Sequence, residues 1–305
     1  MPRWAVLTAI STLLFGINAA LIEIPEKFVH PPFPMTLGYI VWSLTMMLCA
    51  AFALERNGWK LQGGRAALVY GYTNGLLGAG GTLLMFQALR DGPAYIIIPV
   101  VSLYPVVTVS LAATLLRERA GKQAVLGVVL ALAAIVLLSL QEPGTTPIRG
   151  WMWLIWSLLA LAMFGTQGWL IKASAGALSE ETLFFYMAFG ALLLSPAALA
   201  MTDFSQPLNW GLAGPWLTAA IQFPNALAAL LVIYAYRDPA GKVIIISPVV
   251  GLYPLVTIVL SLLVYQRVPD FRTVCGMAMA LIAILLITLA EASPHSKIEK
   301  VAAGT

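Results

Sequence analysis

Long apolar runs separated by short polar segments make up almost the whole chain. Each run has roughly 20 residues, which is the length that an α-helix needs to cross the hydrocarbon core of a bilayer. The polar segments contain most of the charged residues, together with Gly and Pro residues that end helices. The pattern predicts an all-α integral membrane protein with ten transmembrane helices, at about residues 4–22, 35–54, 66–89, 94–116, 123–140, 151–171, 181–201, 212–236, 243–265 and 271–290.

The composition excludes an ordinary soluble domain. Of the 305 residues, 60% are hydrophobic and only 10% are charged, whereas soluble proteins contain about 25% charged residues. The net charge of +4 could suggest a nucleic-acid partner in a soluble protein. Here the basic residues lie between apolar runs, so they indicate membrane topology, and we expect no nucleic-acid partner.

The distribution of basic residues predicts the orientation of the chain. If the N-terminus is cytoplasmic, the cytoplasmic segments contain more Lys and Arg than the external loops, although the bias is weaker in the second half. The clearest cytoplasmic clusters are Arg56, Lys60 and Arg65, and Arg117, Arg119 and Lys122. Because cytoplasmic loops carry an excess of Lys and Arg, we expect both termini in the cytoplasm and the protein in the cytoplasmic (inner) membrane.

An internal repeat determines the predicted architecture. The segment PVVSLYP at residues 99–105 recurs as PVVGLYP at residues 248–254, so that Tyr104 and Tyr253 are 149 residues apart. The same spacing relates Asn18 to Gln167. Each copy contains five predicted spans, and an odd number means that the second copy enters the membrane from the opposite side. Such inverted repeats are typical of secondary transporters.

The repeat also predicts how the chain divides. We expect a first five-helix repeat at residues 1–141, a linker at 142–150, a second five-helix repeat at 151–290 and a disordered cytoplasmic tail at 291–305.

The two copies resemble the EamA family of the drug/metabolite transporter superfamily. The resemblance rests on the pattern Pro-Val-Val-x-Leu-Tyr-Pro-x-Val-Thr in the fourth helix of each copy, followed by a basic or polar loop. It implies ten helices and transport of metabolites or drugs, without naming a substrate. One position departs from the family pattern, because Glu118 follows the fourth span of the first copy and Gln266 stands in its place in the second copy.

Prolines inside the fourth and ninth spans predict helix kinks. A proline in a helix removes one backbone hydrogen bond and crowds the carbonyl group four residues earlier. In a membrane such carbonyl groups must find other donors or line a protein cavity. The predicted kinks lie at Pro99 and Pro105 in the first repeat and at Pro248 and Pro254 in the second.

Polar residues in the middle of the spans predict where a solute binds. The candidates are Asn18, Asn74, Ser102, Tyr104, Gln167, Gln222, Asn225, Ser247 and Tyr253. Each alone could equally form a hydrogen bond between helices, but together they favour the lining of a central cavity. Spans two, five, seven and ten contain fewer amides, and we expect them at the periphery. Five tryptophans could shape the cavity, but we expect most of them to anchor or pack against lipid: Trp42, Trp153, Trp156, Trp169 and Trp216. The glycines of the third span are expected to let helices pack closely: Gly71, Gly75 and Gly78.

Residues for enzymatic chemistry are missing from the pattern. The two histidines, His30 and His295, lie in a loop and in the tail, and there is no phosphate-binding glycine loop or nucleophile–base combination. Cys49 and Cys275 lie inside apolar runs and are interpreted as small buried hydrophobes. We therefore expect no catalytic residues, no cofactor and no metal site. The expected partners are a small-molecule substrate and the lipid bilayer, and a monomer is compatible with the pattern.

The predicted function is secondary transport by alternating access. No Asp, Glu, Lys, Arg or His lies in the middle third of a predicted span, and such residues are retained where proton or ion coupling needs them. We therefore expect neutral or zwitterionic amphipathic solutes, such as amino acids, to move by export or facilitated exchange. The alternatives are a flippase for an amphipathic lipid-linked precursor and an exporter of cationic drugs, since aromatic faces and free carbonyl groups attract cations.

Overall fold

The described residues of the computed structural model form helices and the turns that connect them. These residues are 3–104, 106–107, 110–111, 122–139, 150–173, 177–237, 250, 253–265 and 271–292. No strand occurs within these ranges, so the prediction of an all-α chain is confirmed for the described part.

The helices follow the apolar runs. Their bounds are α1 Arg3–Leu21, α2 Ile24–Lys27, α3 Met35–Arg56, α4 Thr73–Asp91, α5 Ala94–Val101, α6 Lys122–Ser139, α7 Met152–Ala173, α8 Glu180–Leu193, α9 Ser195–Ala200, α10 Leu217–Arg237, α11 Tyr253–Tyr265 and α12 Phe271–Ala292. Short π-helical stretches lead directly into α4 and α10, at Ala67–Tyr72 and Leu212–Trp216.

Several of these helices are long and apolar enough to cross a membrane. The five candidates among the described residues are Arg3–Lys27, Met35–Arg56, Met152–Leu170, Glu180–Ala200 and Leu212–Val232. Shorter apolar helices are Val125–Ala134, Tyr253–Val264 and Val274–Leu286. These helices agree with an integral membrane protein, and the full set of ten spans stays a prediction.

Local sequence explains where helices begin and end. Helix α8 begins after Ser179, whose hydroxyl accepts a hydrogen bond from the Thr182 N–H (3.3 Å) and so caps the helix. It ends at Leu193, and α9 starts at once with Pro196 in its first turn. The predicted continuous span 181–201 is therefore two helices, because a proline cannot donate the backbone hydrogen bond that would continue the first one.

Helices from the two copies of the repeat are packed against each other. Helix α1 packs against α10 and α11, and α4 packs against α7 and α8. Helix α6 packs along α12, and α3 contacts both α8 and α10. The core is therefore an interface between the two copies, so any polar side chain that points inward meets the other copy.

Glycines allow the closest of these contacts, as the sequence led us to expect for the glycines of α4. A Cβ atom on Gly190 of α8 would lie 2.6 Å from the backbone carbonyl carbon of Gly75 in α4. A Cβ atom on Gly71 would meet the ring of Tyr186. Small residues at helix crossings bring backbones together, which is how membrane helices gain packing energy without a hydrophobic driving force.

Two loops, here called the covering loops, each contact the other copy of the repeat: residues 57–66 after α3 and residues 201–211 after α9. In the loop that follows α3, the Gln62 backbone N–H donates to the Thr182 hydroxyl (3.2 Å) at the start of α8. In the loop that follows α9, the Asn209 N–H donates to the Pro32 carbonyl oxygen (3.1 Å), and the Trp210 ring packs on Phe33. Each loop thus joins one copy of the repeat to the other.

Candidate functional site

Two helix crossings at the centre of the structure repeat each other. A Cβ atom on Gly16 of α1 would clash with the Val256 side chain and would lie 3.0 Å from the Tyr253 carbonyl oxygen. A Cβ atom on Gly165 of α7 would clash with Val107 in the same way. Each member of the second crossing is 149 residues from its counterpart, so the sequence repeat is also a repeat of contacts.

The crossings set the positions of the two tyrosines of the repeat. The Tyr253 ring lies beside Phe15, with 6.0 Å between ring centroids. The Tyr104 ring lies beside Phe164 at 6.5 Å. The Tyr253 hydroxyl shares a hydrogen bond of 2.7 Å with the buried Ser102 hydroxyl, which belongs to the other copy. Both tyrosines are half-buried and pack against the other copy, and Tyr253 connects the two copies through Ser102. Their predicted place in a solute cavity stays a prediction.

One cluster of amides, here called the Asn18 network, contains Asn18, Gln222, Asn225 and Trp42. The Asn18 amide nitrogen donates to the Ile221 carbonyl oxygen (2.7 Å) and to the Gln222 side-chain oxygen (3.1 Å). The Asn225 nitrogen donates to the Asn18 oxygen (3.0 Å), and the Trp42 indole N–H donates to the Asn225 oxygen (3.4 Å). The network joins α1 and α3 to α10.

The groups at the two ends of the Asn18 network determine which atom donates in each of its hydrogen bonds. An indole N–H can only donate, and a backbone carbonyl can only accept. Since Trp42 donates at one end and Ile221 accepts at the other, the amides of Asn225 and Asn18 between them have one consistent orientation. The side chains of Asn18 and Gln222 are each 2% exposed.

A second cluster, here called the Gln167 network, contains Gln167 and Asn74. The Gln167 amide nitrogen donates to both the backbone oxygen (3.2 Å) and the side-chain oxygen (3.1 Å) of Asn74. The backbone oxygen can only accept, which fixes the Gln167 amide and, in turn, the Asn74 amide. The Asn74 side chain is fully buried, and its amide nitrogen has no hydrogen-bond acceptor among the described residues.

The two networks occupy equivalent places. Asn18 and Gln167 are 149 residues apart, and each donates to a backbone carbonyl of the facing helix. Those carbonyls belong to Ile221 and Asn74, which are 147 residues apart. At the same 147 spacing, Asn225 corresponds to Gly78, where a Cβ atom would clash with Gln167. The longer side chain of Gln167 thus faces Gly78, and the shorter side chain of Asn18 faces Asn225.

Prolines lie inside two of the helices, α10 and α5. Pro224 lies inside α10, between Gln222 and Asn225, and it deprives the Ala220 carbonyl of its intrahelical donor. Pro99 lies inside α5, which ends at Val101. After α5 the backbone tightens, since the Leu103 and Tyr104 N–H groups donate to carbonyls only three residues earlier. The predicted span 94–116 is therefore interrupted.

Of the other predicted kink residues, the structure describes only Pro254. Pro254 is buried at the second position of α11. Pro105, Ser247 and Pro248 lie outside the described residues.

Some residues of the site were not predicted from the sequence. Trp42 and Tyr39 belong to the second span, which we expected at the periphery; this expectation is wrong, because both side chains are buried and Trp42 bonds to Asn225. Trp153, expected to contact lipid, is 1% exposed. The role of Gly78 could have been found from the 147 spacing, whereas the Ile221 carbonyl leaves no signal in the sequence.

A buried ion pair lies at the end of α1. The Glu23 carboxylate, 3% exposed, accepts a hydrogen bond from the Ala94 N–H at the start of α5 and forms an ion pair with Lys27 (3.3 Å). The Lys27 ammonium group also donates to the Gly92 carbonyl oxygen (2.7 Å). The Glu23 carboxylate is thus paired with groups outside the two polar networks. No group of metal-ligating side chains occurs among the residues that could be searched.

Comparison with known proteins identifies the family of the chain, a relative that it matches in part and a solved structure with a similar fold. The model of the EamA-like transporter family matches residues 2–140 and again residues 151–289. A stretch of 75 residues is 36% identical to MJ1333.1, an uncharacterized protein of Methanocaldococcus jannaschii; it covers 25% of this chain and about half (55%) of that protein. A solved crystal structure of another protein superposes with a TM-score of 0.58 at 20% sequence identity. The superposition covers 93% of this chain and 97% of the chain in that structure.

Proposed function

Since this chain belongs to the EamA-like transporter family, we propose that it moves small neutral or zwitterionic solutes across the cytoplasmic membrane by alternating access. Members of this family are transporters in the membrane, so a small-molecule substrate and a lipid environment follow from the family. The class of solute, the mechanism and the direction of movement are our proposal, with amino-acid-like or other amphipathic solutes moved by export or facilitated exchange.

The observation that carries the proposal is the pair of equivalent polar networks between the two copies of the repeat. Alternating access needs one site that two similar bundles can open to either side in turn. The Asn18 and Gln167 networks lie on the contact surface of the two copies. They therefore supply polar groups where such a site would form, beside the tyrosine pair.

The proposed topology assigns the networks to different depths. We take both termini as cytoplasmic and the two copies as inverted, with ten spans in all. Asn18 lies near the C-terminal end of α1, and Gln167 lies near the C-terminal end of α7. Because these helices would run in opposite directions, the Asn18 network would fall on the outer side of the midplane and the Gln167 network on the inner side.

The chemistry of the networks supports an uncharged site. All their hydrogen bonds join amide, indole and backbone groups, and the nearby Glu23 is already paired with Lys27. A fixed proton carrier would need a carboxylate that is free to face the pathway. Facilitated diffusion or exchange is therefore favoured over strict proton antiport.

Binding and flux measurements test this function. Purified protein is screened by thermal shift against amino acids, other zwitterions, cationic drugs and lipid-linked precursors, and the best compounds are followed by counterflow in proteoliposomes. We expect zwitterionic or neutral solutes to stabilise the protein and to exchange without a pH gradient. Binding only of cations or of lipid-linked precursors would overturn the proposed solute class. Accumulation that follows a pH gradient would overturn the coupling.

Variants of the two tyrosines connect the function to the site. Tyr104→Ala and Tyr253→Ala should each weaken binding of the best solute by about tenfold, the effect of losing one buried hydrogen bond and its aromatic contact. Their purification yield should fall much less. A matched control is Ser157→Ala in α7, since the buried Ser157 hydroxyl donates only to the Trp153 carbonyl of its own helix. Equal losses in all three variants would contradict a binding role for the tyrosines.

A further inference from the structure

Among the described residues, the Asn74 side chain is the one member of the two polar networks whose amide nitrogen is both fully buried and without a hydrogen-bond partner. Four other buried polar atoms also have no partner there: the hydroxyls of Tyr39, Tyr234 and Ser261 and the indole nitrogen of Trp169. None of the four belongs to either network. Asn74 differs from them because its oxygen is held by the opposite copy of the repeat, which leaves the nitrogen fixed in place.

The orientation of this amide does not depend on an arbitrary choice. The Gln167 nitrogen lies 3.2 Å from the Asn74 backbone oxygen, and only a donor is favourable there. That same nitrogen therefore requires the Asn74 side-chain oxygen, not its nitrogen, at 3.1 Å. Turning either amide over would place two acceptors or two donors together. The Asn74 nitrogen consequently points away from Gln167.

An unpaired buried donor is costly. Leaving such a group without an acceptor destabilises the folded protein, and in a membrane protein there is little bulk water to compensate. The equivalent position in the other copy avoids this cost, because Ile221 presents only its backbone carbonyl to Asn18. The free donor is thus specific to the Gln167 network.

We propose that the Asn74 amide nitrogen donates a hydrogen bond to the transported solute, and that the solute therefore carries a carbonyl or carboxylate oxygen. This inference rests on the proposed transport function and narrows its substrate class. The nitrogen is enclosed by protein in this conformation, so the solute reaches it in another state of the transport cycle that keeps the hydrogen bonds from Gln167 to Asn74. An acceptor oxygen on the solute then pairs with the buried amide nitrogen of the Gln167 network that has no partner among the described residues.

A series of three related compounds tests the proposal on the full-length protein in lipid nanodiscs. Leucine has a carboxylate, leucinamide has an amide carbonyl, and 3-methylbutylamine has the same apolar chain and ammonium group without an acceptor oxygen. At pH 6 leucinamide and the amine both carry one positive charge, so their comparison measures the effect of the carboxamide group, and Asn74→Leu then shows how much of that effect depends on the Asn74 donor. Dissociation constants are measured by isothermal titration calorimetry.

For the natural chain we expect leucinamide to bind at least about tenfold more tightly than the amine, the effect of one hydrogen bond to a buried donor. This ratio needs no variant, so it tests the proposal even if substitutions fail to fold. In Asn74→Leu, which removes the donor at similar volume, the ratio should fall close to one. Thr82→Val is the control on the same helix, because the Thr82 hydroxyl bonds only to Gly78 of α4; its ratio should not change.

The outcomes distinguish a failure of the Asn74 proposal from a failure of the proposed transport function. Equal affinity of the natural chain for leucinamide and the amine, or an unchanged ratio in Asn74→Leu, overturns the role of Asn74 while transport stands. An unchanged ratio with reduced thermal stability would mean that Asn74 is a packing residue. If the natural chain binds none of the three compounds, the proposed solute class fails and the inference fails with it.

Discussion

The Asn18 and Gln167 networks have the same backbone framework and different side chains. In both, an amide from the first span of one copy donates to a backbone carbonyl in the third span of the other copy: from α1 to α10, and from α7 to α4. Around Asn18, three further side chains surround this bond, including Trp42 from α3. Around Gln167 there is only Asn74, with one donor left over.

The difference shows how a duplicated fold can hold its helices together with backbone groups and keep side chains available for binding a solute. The backbone carbonyl that anchors each network does not depend on the side chain at its position, so both copies can keep the crossing while their side chains change. The Asn18 network links four side chains by hydrogen bonds, and none of its amide nitrogens is both fully buried and without a partner among the described residues. The Gln167 network leaves a group available, and we infer that the two ends of the transport path are chemically unequal.

The largest expected effect comes from the glycines that both crossings share. Gly16→Val and Gly165→Val should each lower the free energy of unfolding by about 3 kcal/mol or more, because the added atoms clash with backbone as well as with a valine. Thermal unfolding of the purified variants measures this. Gly38→Ala is the matched control, since its Cβ would be 3.5 Å from Thr218, an ordinary contact. A tolerated Gly165→Val with a damaging Gly16→Val would mean that the crossings are not equivalent.

The next effect separates the networks. Asn18→Leu should destabilise the protein by about 2 kcal/mol, because it leaves the amide nitrogen of Asn225 and the oxygen of Gln222 without this partner. Gln167→Leu should cost about 1 kcal/mol, because its partners are two acceptor oxygens of a single residue. Denaturation midpoints of both variants, relative to the natural chain, provide the comparison. Equal costs would remove the distinction between a closed and an open network.

The sequence predicted part of this arrangement. The spacing of 149 residues identified Asn18 with Gln167 and Tyr104 with Tyr253, because the repeated segments keep both register and residue type. It did not predict Trp42, since an aromatic residue in an amide-poor span gives no periodic sign that it reaches across to α10.

Other features depend on three-dimensional contact. Gly78 was expected only to bring helices together, and its pairing with Gln167 depends on the two-residue change in spacing between α4 and α10. The Ile221 carbonyl is a backbone group that any residue would supply. The break after Leu193 could have been predicted from Pro196, but the apolar run across it concealed the interruption.

The smallest expected effect concerns the hydroxyl pair that joins Ser102 to Tyr253. Ser102→Ala and Tyr253→Phe should each cost about 0.6 kcal/mol, a typical value for hydrogen bonds between membrane helices. The double variant should cost little more than either single one, because both remove the same bond. In the second copy, the position equivalent to Ser102 is Gly251, so no matching Ser–Tyr pair is available to Tyr104. Additive costs would show that the two hydroxyls act separately.

The central claim is that the two copies are inverted in the membrane, and cysteine labelling tests it most directly. Leu61 and Trp210 are 149 residues apart, lie in the two covering loops, and are 45% and 63% exposed. Leu61→Cys and Trp210→Cys are made separately after Cys49 and Cys275 are replaced by Ala. A membrane-impermeant maleimide added to intact cells should label the cysteine at 210 at once and the one at 61 only after permeabilisation. Labelling of both positions from the same side would contradict the inverted repeat and, with it, the proposed transport mechanism.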